Sequence, residues 1–160
     1  MGDIPLHTEV LRSVVYIKNS FDQVGSGFLI SKKFPDGKSA VFLITNKHVL
    51  KDKIAGQFAN LITVRFYLKQ TDASGNKTKL VNIPILSIDG KIFNRVFLHP
   101  NDSVDIAAVA ITDIFMQNAD IDVTSLPEEA ILTKERMEQE VINAGEDVFI
   151  LGYPAGIFSS

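Results

Sequence analysis

The sequence predicts an all-β protein, an antiparallel β-barrel, and two observations carry that expectation. Apolar stretches of strand length, rich in Val, Ile and Phe, recur along the chain with turn signals between them, and helical periodicity is almost absent. With 160 residues and 46% hydrophobic content, the chain has material for one domain, or one and a fraction.

Residues 9–18, EVLRSVVYIK, fit a first strand after a short N-terminal turn, and residues 19–23 make the bend. Residues 24–31, VGSGFLIS, read as a second strand in which Gly25 and Gly27 mark a kink or a close packing of backbone. Pro35 and the Asp36-Gly37 pair signal a turn. Residues 40–50, AVFLITNKHVL, then give the third strand of a meander: Val41, Phe42, Leu43 and Ile44 form a continuous run suited to burial on both faces, and polarity returns at Thr45. Residues 61–69 alternate in part, and residues 71–77 form a polar loop with Gly75 and Asn76 at its tip. The strand at 80–87 contains Pro84, which cannot donate to a ladder, so it belongs at an edge or carries a bulge. Residues 92–98 and 106–111 add two more strands.

After Ile111 the character changes: Asp113, Asp120, Asp122, Glu128 and Glu129 are spread through a segment with little strand pattern, read as an acidic surface connection. Thr133 is placed to cap a short helix through Val141, with Arg136 and Glu140 one turn apart. Residues 145–153, GEDVFILGY, make a final strand. Helix is expected only near the N-terminus, after His48 and around 133–142.

Composition excludes several functions. A net charge of −3 gives no broad basic field, so neither nucleic acid nor an anionic membrane is an implied partner. Without cysteine there are no disulfides, thiolate nucleophiles or thiolate metal sites. The three histidines, at 7, 48 and 99, lack the spacing of a zinc motif, and no metal or other cofactor is expected. The N-terminus has no secretory pattern and the apolar runs are too short to span a bilayer as helices, so a cytoplasmic location is the expectation.

His48 stands where the third strand gives way to a short turn or helix, a position that holds an imidazole firmly yet lets it face a cleft. Imidazole titrates near neutrality and can take and return a proton. A lone histidine among apolar residues is more often a hydrogen-bonded structural group, so a catalytic reading needs a partner. Asp105 is the candidate, placed where a polar turn leads into strand 106–111, and its bland reading is a cap at the start of that strand. Asp102 lies mid-turn in Pro100-Asn101-Asp102-Ser103 and reads as a cap of the bend.

Four stretches together resemble a known family. Gly25-Ser26-Gly27-Phe28, Thr45-Asn46-Lys47-His48-Val49, Asp105-Ile106-Ala107 and Gly152-Tyr153-Pro154-Ala155-Gly156 are similar to chymotrypsin-fold, trypsin-like serine peptidases of the cysteine-free bacterial type. The resemblance implies two six-stranded barrels with the active site between them, polypeptide as substrate, His48 as general base and Asp105 as the acid that orients it. It assigns residues 1–112 to the first barrel, 113–144 to an acidic inter-barrel connection with a short helix, and 145–160 to the start of a truncated second barrel. The family's nucleophile lies in a Gly-x-Ser-Gly stretch of the second barrel, and no such stretch follows Tyr153. Ser26 has glycine neighbours but sits on a first-barrel strand, and Ser159 and Ser160 are the last two residues. The chain is therefore expected to be the N-terminal part of a serine endopeptidase, inactive alone. Its apolar tail, including Val148, Phe149, Ile150, Leu151, Ile157 and Phe158, is expected to fold back on the barrel or to pair with another copy as a homodimer. Two readings compete: a catalytically inactive protease-like domain used for binding or scaffolding, and an unrelated small barrel in which His48 and Asp105 never meet.

Overall fold

The structure, a computed structural model, describes residues 8–140 and 150–152. Residues 8–18 divide between two elements. A helix α1 (Thr8–Ser13) precedes strand β1 (Val14–Asn19), so the first half of the stretch expected as strand is helical. Val10 and Val14 suit either state, and Glu9 in the first turn with Arg12 in the last complements the helix dipole. The meander follows as expected, with β2 (Val24–Lys33), a turn in which Gly37 takes φ 81°, and β3 (Ser39–Thr45). A 3-10 turn (Lys47–Leu50) carries His48. Then come β4 (Leu61–Tyr67), buried at every second residue, and β5 (Thr78–Pro84).

Strand β6 (Val96–Leu98) is shorter than the run 92–98 suggested, because Phe93 N–H turns aside to Ile85 O and Val96 N–H to Phe93 O. Strand β7 (Ala107–Ala110) leads into helix α2 (Thr112–Gln117), which the sequence did not announce. A two-residue β8 (Leu126–Pro127) and helix α3 (Lys134–Gln139) complete the described elements. Thr133 caps α3 by accepting the Arg136 N–H at 3.3 Å, and Arg136 pairs with Glu140 at 2.9 Å, as the spacing indicated. Val141 and most of the expected strand 145–153 lie outside the described residues. No described helix is long and apolar enough to cross a membrane.

The strands form one curled antiparallel barrel wall in the order β5-β4-β1-β2-β3-β7-β6, with β8 added parallel to β2. Strand β5 is an edge, as Pro84 requires. The two edge strands do not close through a ladder. Just beyond β5, Leu86 bridges to Ile92 and closes the turn that leads toward β6. Inside lie Val15, Ile17, Leu29, Leu43, Leu50, Ile62, Val64, Phe66, Ile83, Ile85, Val109 and Ile111. Each such side chain, fully buried, contributes about 1.5–3 kcal/mol. The acidic segment after Ile111 joins this core through buried Ile114 and Ile121, and Phe115 meets Phe66 edge-on at 5.4 Å. Its ion pairs to the rest of the chain among the described residues, Arg12–Asp122, Lys32–Glu128, Lys79–Asp120 and Arg95–Asp113, are partly exposed and worth about 0–1 kcal/mol each, so the apolar burial holds it.

Candidate functional site

The 3-10 turn after β3 is fixed from three sides. From β1, the buried Asn19 donates through Nδ2 to Val49 O and Lys51 O, both at 3.2 Å. From β2, Gly25 lies so close beneath the turn that a Cβ there would sit 2.6 Å from Val49 Cγ2. Gly27 is equally committed, since its Cβ would meet Leu43 Cδ1 at 2.7 Å and Ile44 O at 2.8 Å. The glycines of Gly25-Ser26-Gly27 thus let β2 lie against β3 and its turn. Thr45, buried, donates its Oγ1 hydroxyl to Ser26 O at 2.8 Å and locks the two strands at their ends.

The third side is the loop before β7, and there His48 and Asp105 meet. His48 Nδ1 lies 2.5 Å from Asp105 Oδ2, and the His48 backbone N–H donates to Asp105 Oδ1 at 3.0 Å. An ionised carboxylate only accepts, so the ring carries a proton on Nδ1, and when the ring is neutral its Nε2 lone pair is left to accept a proton. Burial alone would raise the Asp105 carboxyl. The hydrogen bonds from the His48 ring and backbone, together with imidazole charge, outweigh it and hold the carboxyl below its ordinary value. The pair is half open, with the side chains 58% and 46% exposed. Asp105 also does what its bland reading asked, tying the start of β7 to a neighbouring backbone N–H.

The bend before Asp105 is closed by Asn101, whose Oδ1 accepts the Ser103 N–H at 2.9 Å and the Ser103 hydroxyl at 2.7 Å. That corrects the assignment of the cap to Asp102, one residue away. His99 accepts the Asn101 N–H at 3.2 Å and serves the same loop. Ser26 sits mid-strand opposite Tyr16, in the β1–β2 ladder. A hollow of about 490 Å³ has a wall that includes Phe28, Ile44, Thr45, Asn46, Ile106 and Leu151; it reaches Asn46 and Ile106, near the pair in sequence, while neither His48 nor Asp105 lines it. Leu151 is half-buried there, and a Cβ on Gly152 would come 3.1 Å from Ser26 Oγ, so these two residues of the expected final strand do lie back on the barrel. His7, Ser159 and Ser160 lie outside the described residues.

No family model, curated protein or solved structure matches this chain. The site's chemistry is therefore read from its own geometry. Among the described residues no group of three His, Asp or Glu side chains is gathered to hold a metal ion. What the geometry offers is an imidazole whose Nδ1 is engaged by a carboxylate, an arrangement able to take up a proton at Nε2. Sequence reasoning missed Asn46 and Lys47, which bind the loop that carries Asp105. Their signal was two polar residues at the end of a buried strand.

Proposed function

We propose that this chain supplies the general base and orienting acid of a trypsin-like serine endopeptidase acting on polypeptide, the nucleophilic serine being contributed by polypeptide outside these 160 residues. One observation carries the reading: the 2.5 Å contact between His48 Nδ1 and Asp105 Oδ2, backed by the His48 N–H on the other carboxylate oxygen. In the proposed reaction Nε2 of His48 takes the proton of the attacking serine hydroxyl, and Asp105 stabilises the imidazolium without itself taking the proton. The same proton then goes to the leaving amine as the peptide C–N bond breaks. Water repeats the cycle on the acyl-enzyme.

The test uses the full-length protein with an unfolded protein substrate and a fluorophosphonate serine reagent. Cleavage and labelling are expected in the native protein. His48→Ala should lower kcat by about 10⁶ and Asp105→Asn by about 10⁴. A full-length protein that neither cleaves nor labels removes the peptidase reading.

A second reading, a catalytically inactive protease-like domain for binding or scaffolding, is favoured by the apolar hollow and by the half-open pair. Under that reading the hollow takes an apolar peptide segment, and binding is unchanged in His48→Ala.

A further inference from the structure

Three consecutive residues of one turn hold the same loop. Asn46 Nδ2 donates to Asp105 O at 2.8 Å, Lys47 Nζ donates to Asn101 O at 3.0 Å, and His48 engages the Asp105 carboxylate through ring and backbone. The grip therefore falls on both ends of residues 101–105. Between those ends the loop is closed on itself, because Asn101 O also accepts the Val104 N–H at 3.1 Å and Asn101 Oδ1 accepts from Ser103. The carbonyl that Lys47 holds is thus the same one that closes the loop.

Lys47 is the unusual member. It is only 7% exposed, and among the described residues no carboxylate stands within ion-pair distance of its Nζ. Burying an ammonium is costly unless hydrogen bonds replace its water. A side chain needed only to fill space would carry no charge here, whereas a charged donor strengthens a bond to a carbonyl. Asp105 needs such support because it approaches His48 from a loop, and the pair is too exposed for packing to fix it.

We propose that Asn46 and Lys47 are positioning residues that clamp loop 101–105 against the His48 turn, so that the Asp105 carboxylate meets the imidazole before any substrate arrives. The catalytic meaning of the clamp rests on the general-base reading above, but the clamp itself is measured without activity.

The test is proton and nitrogen NMR of the His48 ring in this chain and in Asn46→Ala, Lys47→Met and Lys47→Arg. The native chain should show a downfield Nδ1–H signal and nitrogen shifts of the Nδ1–H tautomer. In Asn46→Ala and Lys47→Met the signal should broaden or vanish and the nitrogen shifts move toward a tautomer mixture, while Lys47→Arg, which keeps a charged donor, retains it. An undiminished signal in both Asn46→Ala and Lys47→Met overturns the proposal, as does equal loss in Lys47→Arg and Lys47→Met. If Lys47→Met fails to fold, Asn46→Ala alters an exposed side chain and decides alone. Absence of peptidase activity in the full-length protein leaves this readout intact, so the two ideas fail separately.

Discussion

A carboxylate bonded to an imidazole does two jobs, fixing the ring's tautomer and being itself held ionised by the ring. The second is open to measurement in this chain without a nucleophile. Because the Asp105 carboxyl lies below its ordinary value when folded, it contributes stability that is complete above about pH 4 and is lost as pH falls through the folded value. Other lowered carboxyls, such as Asp72 and Asp120, respond in the same direction, so the wild type alone cannot isolate the effect. Comparison with Asp105→Ala can: its deficit in urea midpoint should be present near pH 7 and should shrink near pH 3. A deficit that is constant across that range would mean the carboxylate's charge contributes nothing to the fold.

Elements were legible where their side chains alternate or run apolar for a full strand, and illegible where they are short. The stretches that became β2, β3 and β4 carry clear patterns, and Pro84 placed β5 at an edge. Helix α2 has six residues, under two turns, with Ile114 and Phe115 adjacent, so no helical period could show. The half of the first strand that became α1 failed for the complementary reason, that Val and Leu spaced along ten residues satisfy either period. The meeting of His48 and Asp105 was expected from their places at strand ends together with the resemblance of four stretches to a known family, not from position alone. The clamp by Asn46 and Lys47 was not, because it depends on where a distant loop packs. The close approach of β2 to the His48 turn yields a second prediction. Gly27→Ala would place Cβ 2.8 Å from the Ile44 carbonyl, backbone that cannot rotate away, and Gly25→Ala would place it 2.6 and 2.9 Å from the two γ-carbons of Val49, a buried β-branched side chain with little freedom to turn aside. Overpacking costs about 1–3 kcal/mol, and both variants should fall in that range, read from urea melts. Gly25→Ala should also displace the His48 resonances, since Val49 follows His48 directly. Melts unchanged from the wild type in both variants would show that the strands separate more easily than these distances imply.

At the scale of the whole molecule, the chain pairs an imidazole with a carboxylate, and none of the hydrogen bonds among its described residues brings a serine hydroxyl to that pair. Ser26 lies within a β ladder, where neighbouring N–H groups are directed along the sheet and cannot converge on an oxyanion. The pure 160-residue chain should therefore neither cleave an unfolded protein nor be labelled by a fluorophosphonate. Labelling mapped to Ser26, Ser159 or Ser160 would overturn that expectation.

The outer face of the same wall makes the last prediction. Phe28, Phe97 and Ile106 are 37%, 52% and 48% exposed, on or beside adjoining strands, and Phe97 packs edge-on against Phe42. Leu151 lines the same hollow as Phe28 and Ile106, and Ile150 next to it is 95% exposed. Apolar side chains grouped on one sheet face seek cover, and strand edges such as β5 and β6 offer unpaired backbone. A stable dimer buries about 800 Å² from each copy. A buried aromatic side chain supplies only about 150–250 Å², and these are already partly covered. The association should therefore be weak and concentration-dependent. Sedimentation velocity across a hundredfold dilution series should show the weight-average mass rising with concentration, and Phe97→Ser with Ile106→Ser should suppress the rise without altering the circular dichroism. A chain that remains monomeric throughout the series would mean that this face is covered from within the same molecule.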